Sequence, residues 1–405
     1  MKLLLLTPQL PYPPHQGTTI RNYNLIRQLA RNHEVHLLSF VQRERELGEA
    51  PPLRAFCRSV STVLTPRRTP VQRLRGLFMS GLPDMALRLP SAEFHAELGA
   101  CLAREDPDVV QVEGIEMAQY GLALAGRRSG QRPLLVFDDH NAEYVLQRRA
   151  FETDRRRPTH WVGAAYSWIQ WHRLARYENE TCRRLDRTVV VSEADGEALR
   201  QLMPDLEITV VPNGVDSAYY HPEAEFTPRS SPAYSVVFTG KMDFRPNIDA
   251  VLWFAHEVLP VVRAQLPDVQ FYVVGQKPAP RVQALANEPG VTITGYVDDV
   301  RPYISLASVY VVPLRIGGGT RLKVMEAMAM ARPVVSTSVG CEGFPLVSGQ
   351  HLLIADTPEE FAAAVVGLLK NPIGRVRLGT AARQFVESYC DWQAIVPLLE
   401  RAYGR

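Results

Sequence analysis

The chain has 405 residues, which is long for one hydrophobic core and predicts two domains of about 200 residues each. Its 46% hydrophobic and 22% charged residues are typical of a folded globular protein and exclude a disordered or fibrous one. A net charge of +2 gives no argument for nucleic acid, and five scattered cysteines without a CxxC pair indicate reduced thiols in a cytoplasmic protein.

Apolar runs typical of strands alternate with helical patterns along nearly the whole chain, which predicts parallel sheets flanked by helices. These runs lie at 2–8, 33–40, 60–64, 108–114, 133–140, 188–192, 208–214, 234–240, 269–275, 291–297, 309–314, 333–337 and 351–356. We therefore predict an α/β protein of two doubly wound domains that face each other across a cleft, where the carboxyl ends of the strands bind ligand.

The expected domain bounds are 1–212 and 233–385, because the stretch 213–232 loses periodicity and concentrates Pro, Ser, Asn and Gly. Residues 386–405 form a last helix, and spacing leaves open whether it returns to the first domain. Prolines follow the first strand too soon for a signal peptide, and the chain has no uncharged apolar run of the roughly 18–20 residues that span a membrane.

Two stretches of the first half are basic. Residues 51–90 contain seven arginines and one acidic residue, and residues 147–177 interleave arginines with three tryptophans. Basic helices with aromatic faces are suited to anionic membrane surfaces, so peripheral contact at the inner face of a membrane is one interpretation. The other is that the tryptophans pack inward and the arginines are solvated. No nucleic-acid-reading module accompanies the arginines.

Polar residues crowd the end of a very apolar strand in the segment FDDHNAEY. Asp139 and His140 lie there, and polar clusters at the carboxyl ends of strands usually face a ligand site. A capped turn with a structural histidine is the alternative.

The second half has two strand-end turns with basic residues. Gly240 and Lys241 follow one strand, and the corner GGGTRLK follows another, although the chain has only five lysines. A strand, a glycine turn and a helix N-terminus together suit a phosphate, and Arg321 and Lys323 add positive charge at the corner.

Glu326 is the only charged residue between Val324 and Ala331, in a helix predicted to be buried. A buried carboxylate needs hydrogen-bond donors, either from a ligand or from a nearby arginine. It lies roughly 9–10 Å along the helix from the glycine corner, which is about the distance from a nucleotide's second phosphate to its ribose hydroxyls.

These motifs resemble the family-4 retaining glycosyltransferases of GT-B fold over essentially the whole chain, in particular the exopolysaccharide-type subgroup with a GGGTRLK corner. In that family two glutamates eight positions apart flank the corner. Glu326 matches the second, which holds ribose, and Gly318 stands in place of the first, which contacts the donor sugar. The resemblance further implies that backbone groups at four positions surround and bind the donor diphosphate. These positions are Gly319, Thr320, Arg321 and Leu322.

The same resemblance assigns roles to other positions. Lys241 faces the donor phosphates, and Arg245 substitutes for a family lysine where this chain has Pro246, unless it is a plain surface side chain. The backbone near Val297 pairs with the nucleotide base. The loop with Gly17, which alone would be an ordinary turn, faces the donor phosphate.

In the first domain, the resemblance places His140 beside the donor sugar. An aspartate next to it, such as Asp139, can fix its tautomer or receive an acceptor proton. It implies a metal-independent transferase without a cofactor, which moves sugar from a nucleoside diphosphate to a hydroxyl on a glycan or lipid-linked glycan in cell-surface polysaccharide synthesis. A nucleotide-sugar epimerase of related fold and a non-catalytic nucleotide-sugar-binding protein remain alternatives. A dinucleotide oxidoreductase is disfavoured, because no GxGxxG follows the first strand.

Overall fold

A computed structural model of the protein describes residues 1–48, 50–126, 132–155, 161–226, 233–317 and 321–404. The chain divides into an N-terminal unit, residues 1–212 with 395–405, and a C-terminal unit, residues 213–394. The C-terminal unit thus includes the described part of the segment expected to be a linker, and it runs past the expected bound at residue 385. One reason is that Val215 pairs with Asp391, whose carboxylate also accepts the Ser217 N–H at 3.0 Å.

The N-terminal unit is built on a parallel sheet. Among the described residues it has seven strands in the order β3-β2-β1-β4-β5-β6-β7. They are β1 (Lys2–Thr7), β2 (Glu34–Val41), β3 (Ser59–Leu64), β4 (Val109–Glu113), β5 (Leu134–Asp139), β6 (Arg187–Val190) and β7 (Ile208–Val210). The four leucines of β1 are at most 1% exposed, because helices cover both faces of the sheet.

Three helices of this unit begin at side-chain capping residues. Thr69 and Ser91 accept hydrogen bonds from the third residues of their helices, and Ser192 does the same. The helices are α1 (Gly17–Leu29), α2 (Pro51–Phe56), α3 (Pro70–Met79), α4 (Ala92–Glu105), α5 (Ala118–Ala125), α6 (Glu143–Asp154), α7 (Trp161–Arg184) and α8 (Glu193–Leu202).

The C-terminal unit has a second parallel sheet, in which six described strands follow the order β10-β9-β8-β11-β12-β13. They are β8 (Ser235–Thr239), β9 (Gln270–Val274), β10 (Val291–Ile293), β11 (Val309–Val312), β12 (Val334–Ser336) and β13 (Leu353–Ile354). Every strand predicted from the sequence is therefore present, and the prediction of two doubly wound, Rossmann-like α/β sheets is confirmed.

The remaining helices flank the second sheet, except that most of the last one joins the first unit. They are α9 (Arg245–Trp253), α10 (Leu259–Gln265), α11 (Pro280–Gln283), α12 (Arg301–Leu306), α13 (Leu322–Ala329), α14 (Pro358–Lys370), α15 (Pro372–Phe385) and α16 (Trp392–Ala402). Of the helices described, none combines the length and apolar composition needed to cross a membrane.

The strand order of each sheet reverses at one point, between β1 and β4 in the first unit and between β8 and β11 in the second. Ligands of open α/β sheets bind outside the carboxyl ends of the strands at such a point. The polar residues singled out in the sequence follow β5, β8 and β11, next to these reversals.

Candidate functional site

The turn after β8 is held tightly against two polar side chains. A side-chain carbon at Gly240 would lie 2.7 Å from Lys323 Nζ and 2.8 Å from Asn247 Nδ2, so glycine is required for this approach. A side-chain carbon at Gly275 would lie 1.7 Å from the Gly240 carbonyl oxygen. The glycines after β8 and β9 therefore allow Lys323, from α13, to reach the end of β8.

Lys323 is held by a defined set of contacts. Its Nζ donates to Asn247 Oδ1 at 2.8 Å and lies 4.1 Å from the ring centroid of Phe238. Asn247 in turn donates to the Lys241 carbonyl oxygen at 2.9 Å. Burial lowers the Lys323 pKa to about 7 although Glu326 favours the charged form, and Arg321 lowers it further. Such a lysine can gain a proton when an anion arrives.

Glu326 lies one turn further along the same helix, with buried apolar residues on both sides. Burial raises its pKa, while a hydrogen bond from the Tyr220 hydroxyl and the charge of Lys323 act in the opposite direction. The arginine considered as an alternative partner is not seen in the described part of the chain. Tyr220 was not predicted from the sequence, and it precedes Glu326 by more than one hundred residues.

The neighbouring Tyr219 extends this cluster. The Arg301 guanidinium lies 3.9 Å from the Tyr219 ring centroid, donates to the Tyr219 carbonyl oxygen at 3.2 Å and pairs with Asp299 at 2.7 Å. These contacts fix the segment that brings Tyr220 to Glu326.

The glycine corner is described only in part, because Gly318, Gly319 and Thr320 lie outside the described residues. On either side of this gap, Gly317 and Arg321 are close together. A side-chain carbon at Gly317 would lie 2.9 Å from the Arg321 guanidinium, which also donates from Nε to the Val339 carbonyl oxygen at 3.4 Å. Burial lowers the pKa of Arg321. Leu322 is the first residue of α13, where helix geometry leaves backbone N–H groups without internal partners.

The other positions predicted to bind the donor are more open. Lys241 is exposed, with Nζ 3.6 Å from Asp243, and Arg245 is exposed at the start of α9. Val297 follows β10 with its side chain packed on the core, and among the described residues its backbone N–H and C=O form no hydrogen bond. The structure thus places a partly buried lysine, Lys323, beside the turn that carries Lys241 and Arg245.

In the N-terminal unit, the predicted histidine is paired with a carboxylate. His140 Nε2 lies 2.8 Å from Glu113 Oε2, at the end of the neighbouring strand β4. Asp138 is bound instead by Arg21, through contacts of 2.8 to 3.1 Å that are almost fully buried. Burial opposes the charged form of His140, but Glu113 and Asp138 outweigh it and raise the His140 pKa.

Asp139 points away from this pair into a second acidic group. Its side chain is 1% exposed, and neither carboxylate oxygen has a hydrogen-bond partner among the described residues. Burial raises its pKa well above the usual value, and the charges of Glu178, Glu143 and Asp195 raise it further. Glu178 and Asp195 are themselves used to hold the turn before α6, since they accept the N–H groups of Glu143, Tyr144 and Ala142.

A pocket of roughly 350 Å³ lies beside His140 in the same unit. Gly17 is exposed at the start of α1, and its neighbours Gln16 and Thr18 line this pocket. Glu143 also lines it, and burial followed by the charge of Glu116 raises the Glu143 pKa to about 7. The pocket therefore brings together the loop after β1 and the turn after β5, as expected at the reversal of strand order.

Potential metal-ligating atoms of Glu113, Asp138 and His140 lie within 4.8 Å of one another. All three residues are engaged by protein partners, however, since Arg21 neutralises Asp138 and His140 pairs with Glu113. We assign no metal to this cluster.

Sequence reasoning missed four residues that hold these groups: Arg21, Glu113, Tyr220 and Asn247. One signal was available for Glu113, because Gln111 and Glu113 are polar residues on a strand whose other positions are apolar and buried. The other three residues, Arg21, Tyr220 and Asn247, make contacts between segments that no spacing in the sequence relates.

Comparison with known proteins identifies both units. Residues 16–219, just over half of the chain, match the family described as Glycosyltransferase Family 4, and residues 233–371 match Glycosyl transferases group 1. A Klebsiella pneumoniae protein, named only as an uncharacterized 44.6 kDa protein in the cps region, is 21% identical over 96% of each chain.

Two solved structures share the whole fold. Sucrose-phosphate synthase from Thermosynechococcus elongatus has a TM-score of 0.70 with 20% identity, covering 100% of this chain and 98% of that one. The Anabaena protein HepE, solved in complex with UDP, has a TM-score of 0.66 with 13% identity and covers 100% of both chains. At these identities the likeness establishes the GT-B fold.

Replacing Asp139 with asparagine should change how stability depends on pH. Because the pKa of Asp139 is raised on folding, its favourable contribution is fully present below its unfolded pKa of about 3.9 and is lost as pH rises through the folded value. An asparagine amide cannot ionise, so Asp139→Asn should gain stability relative to the wild type between pH 4.5 and pH 8. Urea unfolding at both pH values measures this gain.

The matched control is Asp205→Asn, in an exposed loop, which should show no such gain. An Asp139→Asn effect of the same size at both pH values would contradict a raised pKa for the buried Asp139.

Proposed function

The chain belongs to glycosyltransferase family 4 and is a glycosyltransferase, and we propose that it moves a sugar from a nucleoside diphosphate to a hydroxyl group with retention of configuration. The observation that carries the proposal is the pair of ionisable side chains on α13. Lys323 reaches the glycine turn after β8, and Glu326 follows one turn later. Their spacing suits a ligand with phosphate at one end and hydroxyls at the other.

The phosphate end is assigned to Lys323, Lys241 and Arg321 together with the first N–H groups of α13. A leaving diphosphate gains negative charge as the sugar departs, and donors already in place stabilise that charge without reorganising. We propose that these cationic side chains perform this role without a metal. Arg245, exposed at the start of α9, is a further candidate phosphate contact.

The nucleoside end is assigned to Glu326, whose carboxylate would accept hydrogen bonds from ribose hydroxyls alongside Tyr220. The unpaired backbone of Val297 would contact the base. HepE was solved with UDP, so a UDP-sugar is our first choice of donor. The corner residues Gly318, Gly319 and Thr320 are part of the proposal through the family resemblance alone.

The N-terminal unit is assigned to the transfer step. We propose that His140 hydrogen bonds a hydroxyl of the reacting sugar and that the loop at Gly17 faces the donor phosphate. Asp139, whose burial raises its pKa and whose carboxyl has no hydrogen-bond partner among the described residues, would support the turn that carries His140. The acceptor would be a glycan or lipid-linked glycan in cell-surface polysaccharide synthesis, in keeping with the cps region in the name of the Klebsiella relative.

Turnover of a panel of UDP-, GDP- and ADP-sugars tests this function. A glycosyltransferase should hydrolyse one donor slowly without acceptor and retain the anomeric configuration on transfer, with no loss of activity in a chelator. Isomerised sugar would instead support the epimerase, and binding without turnover would support a non-catalytic protein. Either result would overturn the proposed reaction.

Lys323→Met should weaken binding of the selected nucleoside diphosphate by about 10- to 100-fold, since a hydrogen bond to a charged group contributes about 1.5–3 kcal/mol. At pH 8 the free side chain is mostly neutral because its pKa is about 7, so binding should take up close to one proton. Calorimetry in buffers of different ionisation enthalpy measures that proton.

At pH 6 the uptake should nearly vanish, because Lys323 is already charged. Lys370→Met, at an exposed lysine that contacts Gln265, is the matched control and should bind as the wild type does. Unchanged affinity in Lys323→Met would remove Lys323 from the phosphate site.

One surface of the N-terminal unit supports the proposed membrane contact. Helices α3 and α7 are neighbours, since Arg173 donates to the Leu77 carbonyl oxygen at 2.8 Å. Of the three tryptophans in the basic stretch 147–177, Trp161 and Trp168 are 63% and 48% exposed rather than packed inward. Large apolar side chains are exposed on both of these neighbouring helices, and we group them as one surface: Val71, Phe78, Met79, Trp161, Val162, Tyr166 and Trp168.

The charges around this surface favour an anionic membrane. Residues 55–83 contain five arginines and no acidic residue. Apolar side chains of this size contribute roughly 1.5–3 kcal/mol each on full burial, and nearby arginines add about 1 kcal/mol each. We propose that this surface, which we call the α3–α7 surface, rests on the membrane that carries the acceptor.

Co-sedimentation with phosphatidylglycerol vesicles tests the α3–α7 surface. The wild type should bind at 0.1 M salt and weaken at 0.5 M, because screening removes the contribution of the arginines. Phe78→Ser with Trp161→Ser should reduce binding at least about tenfold, as expected from the loss of two buried aromatic side chains.

The control Ile373→Ser with Tyr389→Ser removes two side chains that are 83% and 66% exposed in the C-terminal unit. It should bind as the wild type does. Absence of wild-type binding to anionic vesicles would remove the membrane contact from the proposal.

A further inference from the structure

We propose that Glu113 is a positioning residue for His140, and that Tyr403, near the C-terminus, holds Glu113 in place through Gln111. The four side chains form one buried hydrogen-bonded chain within the N-terminal unit. The proposal rests on the proposed function only for the ligand group that His140 contacts. The hydrogen-bonded series of side chains is a property of the free protein.

The first contact orients the ring. Glu113 is fully buried, and its Oε2 lies 2.8 Å from His140 Nε2. Burial and the charge of Asp138 raise the Glu113 pKa, whereas His140 and Arg21 favour its ionised form. An ionised Glu113 accepts the hydrogen bond, and the proton of the pair then lies on Nε2. The other nitrogen, Nδ1, lies beside Gly114, where a side-chain carbon would be 3.6 Å away, and it has no partner among the described residues. His140 and Gly114 both line the pocket described above, so Nδ1 faces that pocket.

The second contact fixes the other carboxylate oxygen. Gln111 Nε2 donates to Glu113 Oε1 at 2.5 Å. An amide can also present its oxygen, which would repel the carboxylate. The Glu113 carboxylate, which only accepts hydrogen bonds, selects the amide nitrogen, and the Tyr403 hydroxyl donates to Gln111 Oε1 and holds the amide in that orientation. Both oxygens of Glu113 are therefore held, one by Gln111 and one by His140.

The groups around the pair come from several elements. Asp138 lies beside Glu113 in register on β5, and Arg21 from α1 neutralises it. Tyr403 approaches from the end of α16, and Glu143 faces the ring from α6. Asp138 and Glu113 favour the charged imidazolium, whereas burial and Arg21 oppose it.

This arrangement lets His140 present a single, oriented Nδ1 group to the pocket. When the ring is charged, Nδ1–H donates to an oxygen of the bound sugar, and Glu113 compensates the charge from behind. A metal-ligating or catalytic histidine is commonly oriented in this way by a hydrogen bond to its second nitrogen. No proton needs to leave the pair during the reaction.

The test is the titration of the His140 Cε1–H signal by NMR in the full chain, assigned by comparison with His140→Gln. Glu113→Gln should lower the His140 pKa by at least one unit, because the paired charge is lost. Tyr403→Phe should lower it by a smaller amount, because the Gln111 amide then loses the hydrogen bond that holds it against Glu113. If Glu113→Gln does not fold, Tyr403→Phe still tests the chain of contacts.

The matched control is Glu116→Gln, which removes a nearby carboxylate that pairs with Arg88 and not with the ring. It should move the His140 pKa by less than 0.3 unit. A shift of that small size in both Glu113→Gln and Tyr403→Phe would overturn the proposal. In turnover, Glu113→Gln should lower kcat at least about tenfold with little change in the donor KM, and an unchanged kcat would also overturn it.

The two failures can be distinguished. The His140 titration requires no turnover. If the His140 pKa shifts as expected in the variants but the protein transfers no sugar from any donor, only the proposed function is contradicted.

Discussion

Charge buried at the carboxyl ends of the strands is the constraint on which the rest of the molecule depends. Arg21 shows how it is met, since its guanidinium binds Asp138 in a bidentate manner and also donates to the carbonyl oxygens of Val211 and Pro212. One side chain thus connects α1, the end of β5 and the segment after β7. Removing one partner of a buried ion pair typically costs about 3–5 kcal/mol of folding stability. The buried polar side chains at this edge of the sheet therefore stabilise the protein only when all of them are present.

The C-terminal unit meets the same constraint differently. Lys323 and Glu326 share one helix, and each is only partly satisfied by the protein, through Asn247 and Tyr220. Burial lowers the pKa of the lysine and raises that of the glutamate, so it disfavours the charged form of both side chains. A ligand with phosphate and hydroxyl groups would favour both charged forms, because it supplies an anion to the lysine and hydrogen-bond donors to the carboxylate.

The sequence predicted the fold better than it predicted the contacts of the site. Period and composition located every strand, because a strand buried on both faces must be apolar along its length. They also singled out His140, Lys323 and Glu326, since polar residues in buried segments are conspicuous. Their partners Glu113, Asn247 and Tyr220 come from other segments, and no local pattern relates them. For the same reason the sequence named Lys241, Arg245 and Lys323 but did not relate Lys323 to the turn that carries Lys241.

The central claim is that α13 holds phosphate at one end and ribose at the other. Calorimetry with the preferred nucleoside diphosphate and its 2′,3′-dideoxy analogue, on the wild type and Glu326→Gln, tests it most directly. The wild type should bind the analogue about 10- to 100-fold more weakly, as expected for hydrogen bonds to a carboxylate. Glu326→Gln should bind the two within about twofold of each other. If Glu326→Gln discriminates against the analogue as strongly as the wild type does, Glu326 does not hold the ribose and the account is wrong.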